Sequence, residues 1–140
     1  MQGDLVAGES IEISSAPRGR LSTRAIAMPA DTNPFGHVFG GWMLAQMDLA
    51  GGTHAYRRAG GHCPTIAVEG MEFLEPVHVG DEVSCYTEVI RVGRTSISIR
   101  IQAWVRRNGG SDRLVKVTSA IFTYVAIDPQ GRKRTVPPEE

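Results

Sequence analysis

Apolar and polar residues alternate most regularly between Ser96 and Arg106. Ile97, Ile99, Ile101, Ala103 and Val105 face one way, and Ser96, Ser98, Arg100, Gln102, Trp104 and Arg106 the other. A period of two over that length predicts a strand with one buried face. Val83, Cys85, Thr87 and Val89 share one face of a strand just upstream, and Leu114 to Ile127 reads as another downstream. Val92-Gly93-Arg94-Thr95 joins the first two as a tight hairpin, and Asn108-Gly109-Gly110 is the turn into the last. Thr65 to Leu74 is rich in strand formers as far as Pro76, and Leu21 to Met28 forms a strand closed by Pro29. Ile11 and Ile13 suit a short edge strand, and Val77 to Asp81 a turn.

The alternation fails between Asp31 and Gly61, which read DTNPFGHVFGGWMLAQMDLAGGTHAYRRAGG. Turn formers open this stretch, because Asx side chains bond nearby backbone and proline presets φ. A helical pattern then runs from Trp42 to about Arg58, stopped by Gly60-Gly61. At roughly 1.5 Å per residue it spans roughly 25–30 Å. The order is therefore strand, long helix and four strands, an α+β chain whose short turns imply an antiparallel sheet. A helix this apolar, with glycine on several sides, needs enclosure, so the expected architecture is a curved sheet wrapped around one long central helix. One residue conflicts with that packing. Asp48 follows Leu44 and Ala45 and precedes Gly51 and Gly52 at helical spacing, a stripe with no polar company. A carboxylate there is costly without a partner or a purpose.

Length and composition narrow the options. The chain has 140 residues, enough for one domain, which we place at 20–140 behind a loose N-terminal arm at 1–19. Fifteen basic residues balance fifteen acidic ones, which argues against nucleic acid or a membrane surface as partner. Cys63 and Cys85 have no metal-like spacing and read as reduced core residues. His54, His62 and His78 form no metal-like group either, so no metal and no cofactor is expected. Without a basic region leading into an apolar run, no secretory signal is visible, and no apolar stretch approaches the ~18 residues of a spanning helix. The expected location is the cytoplasm.

Several segments in order carry a family likeness: Ala27-Met28-Pro29-Ala30-Asp31-Thr32-Asn33, Phe39-Gly40-Gly41-Trp42, Gln46-Met47-Asp48, Val68-Glu69-Gly70-Met71-Glu72-Phe73 with Pro76, Val92-Gly93-Arg94-Thr95-Ser96 and Phe122-Thr123-Tyr124-Val125. Over roughly residues 20 to 138 the chain resembles the hotdog-fold acyl-CoA thioesterases, the YciA-like group of small bacterial enzymes. The resemblance implies hydrolysis of acyl-CoA to free acid and CoA. It implies Asp48 as the catalytic carboxylate, with Asn33 as its helper from the paired subunit. It also implies a double-hotdog homodimer, commonly assembled as a trimer of dimers. His37 and Glu72 depart from the residues these enzymes often carry.

Thioester chemistry makes specific demands. The leaving thiol has a pKa near ~8.5 and departs without a strong acid, so the protein must polarise the carbonyl and activate or replace water. The helix start at Gly40-Gly41 presents unpaired N–H groups and the positive end of a dipole, and glycine admits a carbonyl close to the backbone. Asp48 lies seven positions beyond Gly41, on the same side and roughly 10 Å away. One tetrahedral centre needs both groups within roughly 3 Å. One subunit cannot easily supply both, whereas antiparallel helices in a two-fold dimer can. Asp48 then serves either as a base or as a nucleophile. Arg91 and Arg94, beside Thr95 and Ser96, are candidates to hold CoA phosphates through charge-assisted bonds. Gln46 is placed to orient another group, and Trp42 and Met43 to line the core or an acyl tunnel.

Two other functions fit parts of the pattern. Asp31-Thr32-Asn33-Pro34-Phe35-Gly36-His37 resembles the Asp-x-Asn-Pro-x-His motif of hotdog enoyl-CoA hydratases, with one extra residue before His37, and that reading leaves Asp48 unexplained. A non-catalytic acyl-CoA-binding protein needs no buried-stripe carboxylate.

Overall fold

The regular alternation of residues 96–106 becomes the central strand of a five-stranded antiparallel sheet. The computed structural model describes residues 16–107 and 113–139. Its elements are β1 (Arg20–Ile26), α1 (Gly40–Ala59), β2 (Thr65–Phe73), β3 (Glu82–Val92), β4 (Ser96–Arg106) and β5 (Leu114–Val125). Strand order across the sheet is β1-β3-β4-β5-β2. Ile97, Ile99, Ile101, Ala103 and Val105 are fully buried, as a strand with an inward period of two requires. The expected edge strand at Ile11 and Ile13, most of the expected arm, and the turn Asn108-Gly109-Gly110 lie outside the described residues.

Helix α1 starts two residues earlier than its apolar pattern, at Gly40, because the first turn of a helix needs no internal acceptor for its amides. It ends where expected, with Gly60 at φ 69° as a left-handed cap whose N–H bonds the Tyr56 carbonyl. Met43, Met47, Ala50, Gly51, Ala55 and Ala59 form its buried face against the sheet. Gly51 is needed for contact: a Cβ there would lie 2.5 Å from Ile101 Cδ1 and 3.0 Å from Tyr124 Cζ. The other flank is bare. Leu49 is 60% exposed, Tyr56 58% and Leu44 38%, so a single sheet covers only one side of the helix. Edge strand β2 adds exposed Ile66, Val68 and Phe73. Enclosure of the helix, expected from its composition, is thus half met within one chain.

Two strand neighbours are not sequence neighbours. The helix carries the chain across the sheet, so β2 pairs with β5 (Thr65 opposite Tyr124, Val68 opposite Phe122) and not with the next strand. β3 returns to the opposite side of the sheet and pairs between β1 and β4, with β1 at the edge. The β2–β3 crossover is held by Arg107 at the end of β4. Its Nη1 donates to Asp81 Oδ2 at 2.6 Å and to the Pro76 carbonyl at 2.9 Å, and Nη2 to Glu75 Oε1 at 3.2 Å. Asp81 is only 2% exposed, so removing its cation leaves a buried charge without that partner. Arg107→Ala should lower unfolding free energy by about 3 kcal/mol, measured in urea at fixed protein concentration. A loss under about 1 kcal/mol would show that the crossover is held elsewhere.

Candidate active site

The N-terminal end of α1 is chemically open. Phe39 occupies the N-cap in an extended conformation and offers no capping side chain. Trp42 and Met43 donate to the Phe39 carbonyl at 3.1 and 3.3 Å. The Gly40 and Gly41 amides precede the first internal bond, and no acceptor meets them among the described residues. A Cβ on Gly41 would touch nothing within 4 Å, so the helix start is uncrowded on that side. A cleft of about 370 Å³ opens at Gly40, lined also by His37, Met43, Phe73 and Val77 among others.

The preceding loop brings Asn33 to the same end. Thr32 bridges Val38, and Asn33 N–H donates to the His37 carbonyl at 2.7 Å. Asn33 Oδ1 in turn accepts from the amides of Phe35 at 2.9 Å and His37 at 3.1 Å. These two hydrogen bonds fix the carboxamide and leave Nδ2 with no acceptor among the described residues. A held donor therefore sits on the loop leading into the two free amides. The residues of the hydratase-like motif are engaged otherwise. Asp31 Oδ2 accepts from Met28 N–H at 2.9 Å, and the His37 ring stacks on His78 with centroids 5.1 Å apart.

Two helical turns on, Asp48 is half-buried and tied to the sheet through one oxygen. Thr65 Oγ1 donates to Oδ1 at 2.5 Å, and the Tyr124 hydroxyl donates to the same atom at 3.1 Å. No protein group occupies Oδ2 among the described residues. Burial chiefly, then the neighbouring Asp48 charge, pushes the Tyr124 phenol far above its ordinary pKa. A second, separate cleft of about 490 Å³ runs past Asp48, Leu49, Gly52, Thr53, Tyr56 and Arg57 along the bare flank of α1. Asp48 and Gly40 thus line different clefts of one subunit, and no hydrogen bond joins Asp48 to Asn33, Gly40 or Gly41.

Arg91, Arg94, Thr95 and Ser96 lie at the β3–β4 hairpin, closed by Gly93 N–H on the Ser96 carbonyl at 2.8 Å. Arg91 and Arg94 are exposed, and neither guanidinium meets a carboxylate among the described residues. Ser96 pairs with Val125 and Ile97 with Tyr124, so the hairpin tip lies at the end of the sheet where Tyr124 reaches Asp48. Met43 is buried in the core and Trp42 packs partly against it.

A model of the thioesterase superfamily matches residues 35–110. Over 127 residues the chain is 46% identical to the acyl-CoA thioester hydrolase YciA of Escherichia coli, covering 89% of this chain and 96% of that protein. The chain belongs to the thioesterase superfamily. A hexameric thioesterase of Yersinia pestis superposes with a TM-score of 0.84 at 46% identity, covering 89% of this chain and all of that one. A hexameric hotdog fold thioesterase of Campylobacter jejuni gives 0.80 at 40% identity over 85% of this chain and 91% of the other. The fold of this thioesterase-superfamily chain is the hotdog fold: one long helix against an antiparallel sheet of five strands.

Two residues at the site escaped sequence reading. Thr65 looks like any residue at a strand start, and Tyr124 like any inward aromatic of a strand. Their signal is spatial, since they sit opposite each other across the β2–β5 pair, and both reach Asp48. The register shift between Thr65 and Ala67 falls beside that contact, where bulges re-aim side chains.

Proposed function

We propose that the protein is an acyl-CoA thioesterase working as a homodimer, with dimers further associated as a trimer of dimers. One observation carries this reading: a half-buried carboxylate with one oxygen held and the other free stands two turns from the free amides it would have to cooperate with. A second copy with its helix antiparallel resolves the separation. The exposed flank of α1 and the unpaired edge of β2 are the surfaces available for it.

In that arrangement, Gly40 and Gly41 amides of one subunit, with Asn33 Nδ2, bind the thioester oxygen as charge develops on it. Asp48 of the other subunit takes a proton from water, or attacks the carbonyl carbon itself and is then released by water. In either route the new C–O bond comes from water in the net reaction. The C–S bond breaks, the thiolate leaves with the electron pair, and a proton returns to sulfur. Arg91 and Arg94, with Thr95 and Ser96, hold the CoA phosphates. The single catalytic domain spans 20–140, and the work is cytoplasmic. Among the described residues no helix is long and apolar enough to cross a membrane.

Thiol release from a panel of acyl-CoAs tests the reaction, with an enoyl-CoA hydration assay alongside. Free CoA in stoichiometry with free acid supports it. Binding without release, or hydration alone, would refute it. The same assay addresses the hairpin: Arg91→Ala combined with Arg94→Ala should raise KM by about tenfold with little change in kcat. An unchanged KM would remove these arginines from CoA recognition.

A further inference from the structure

The geometry points to Tyr124 as a positioning residue: its hydroxyl, with Thr65, locks the Asp48 carboxylate so that Oδ2 alone is presented to the thioester. This rests on the reading of Asp48 as the catalytic carboxylate.

The terminal torsion of an aspartate is broad and two-fold. One hydrogen bond to Oδ1 leaves the carboxylate plane free to turn about it, and the oxygens can exchange roles. Two donors arriving from different strands fix the plane and distinguish the oxygens. Thr65 approaches from β2 at 2.5 Å and Tyr124 from β5 at 3.1 Å, both on Oδ1. Thr65 sits on the exposed edge strand, whereas Tyr124 is 1% exposed and stacks on Phe122 with centroids 6.4 Å apart. The tyrosine is therefore the rigid member of the pair. Its hydroxyl also lies 3.3 Å from the Asp48 carbonyl oxygen, so the donor references both the backbone and the side chain of the residue it holds.

The fold makes room for this contact at a visible cost. Gly51, one turn beyond Asp48 on the buried face, lacks the Cβ that would overlap the Tyr124 hydroxyl and crowd Ile101 Cδ1 at 2.5 Å. Glycine inside a helix is less favourable than alanine, and here it admits the phenol to the carboxylate. Burial and the Asp48 charge keep the phenol protonated, so it is a donor throughout the neutral range and never a competing base.

The test separates orientation from packing. Tyr124→Phe keeps the ring and removes the donor. In thiol-release kinetics we expect kcat to fall by about tenfold with KM within about twofold, and with Tm within a few degrees. Gly51→Ala, which displaces the hydroxyl without removing it, should lower kcat with KM likewise unmoved. Phe122→Leu removes ring packing and keeps the donor, and should lower Tm while leaving kcat within about twofold. Full turnover in both Tyr124→Phe and Gly51→Ala, beside an inactive Asp48→Ala, would overturn the role of Tyr124 and leave that of Asp48 standing. Turnover surviving in Asp48→Ala would overturn the reading of Asp48, and the positioning role with it.

Discussion

Replacing Asp48 by Asn or Ala is expected to lower kcat by ~10²-fold or more, with the fold and the assembly retained. The neighbours of Asp48 along the helix are Leu44, Ala45, Gly51 and Gly52, none of which needs a charge to pack. The only bonds to its carboxylate among the described residues come from Thr65 and Tyr124, each of which can bond to a neutral amide as well. Asn therefore preserves the shape and the anchoring at Oδ1 while removing the basic, nucleophilic oxygen at Oδ2. Unchanged oligomer size and a Tm close to the parent would establish that the variant is folded. Turnover within tenfold of wild type in such a protein would remove Asp48 from the chemistry.

Mixing two inactive variants should restore activity, and this outcome decides whether the site is shared. Asn33→Ala removes a held donor from the oxyanion side, where loss of one donor costs about 10²–10³-fold. Asp48→Ala removes the carboxylate. If each site takes Asn33 from one subunit and Asp48 from the other, both homodimers carry two damaged sites. A mixed dimer then holds one site with both lesions and one intact. After dissociation and reassembly, mixed dimers should recover up to about half of the wild-type rate. If one subunit supplied both groups, each site would carry one lesion and mixing would restore nothing. Failure to complement, with subunit exchange proven by a labelled subunit, would place both groups in one chain. The structure gives this experiment its motive: the helix start at Gly40, to which the Asn33 loop leads, and Asp48 line different clefts of one subunit, and a helix does not bend to bring positions two turns apart together.

Local order was legible because it is written locally. The period of two from Ser96 to Arg106 became β4 over the same residues, and the Val92–Thr95 turn became the β3–β4 hairpin. The helix ended at its glycine because only a left-handed residue closes it there. Asp48 was visible as a candidate for the same reason: a charge on a stripe of small residues violates helical patterning wherever the helix lies. Which strands neighbour one another was a matter for the tertiary structure alone. Pattern reports which face of a strand is buried and carries no information on its partner, so the pairing of β2 with β5, past two intervening strands, could not be read from either. That pairing sets Thr65 opposite Tyr124 and delivers both to a helix residue that is 17 positions from one and 76 from the other. It also gave Gly51 its meaning, since a glycine read as a small residue of the stripe proves to be the notch that lets a buried phenol reach the carboxylate. The chain by itself determined that there is one long helix, an antiparallel sheet and an acid out of place. Only the long-range packing decided what holds that acid and which of its oxygens is free, because those contacts depend on surfaces that exist only once the sheet has closed on the helix.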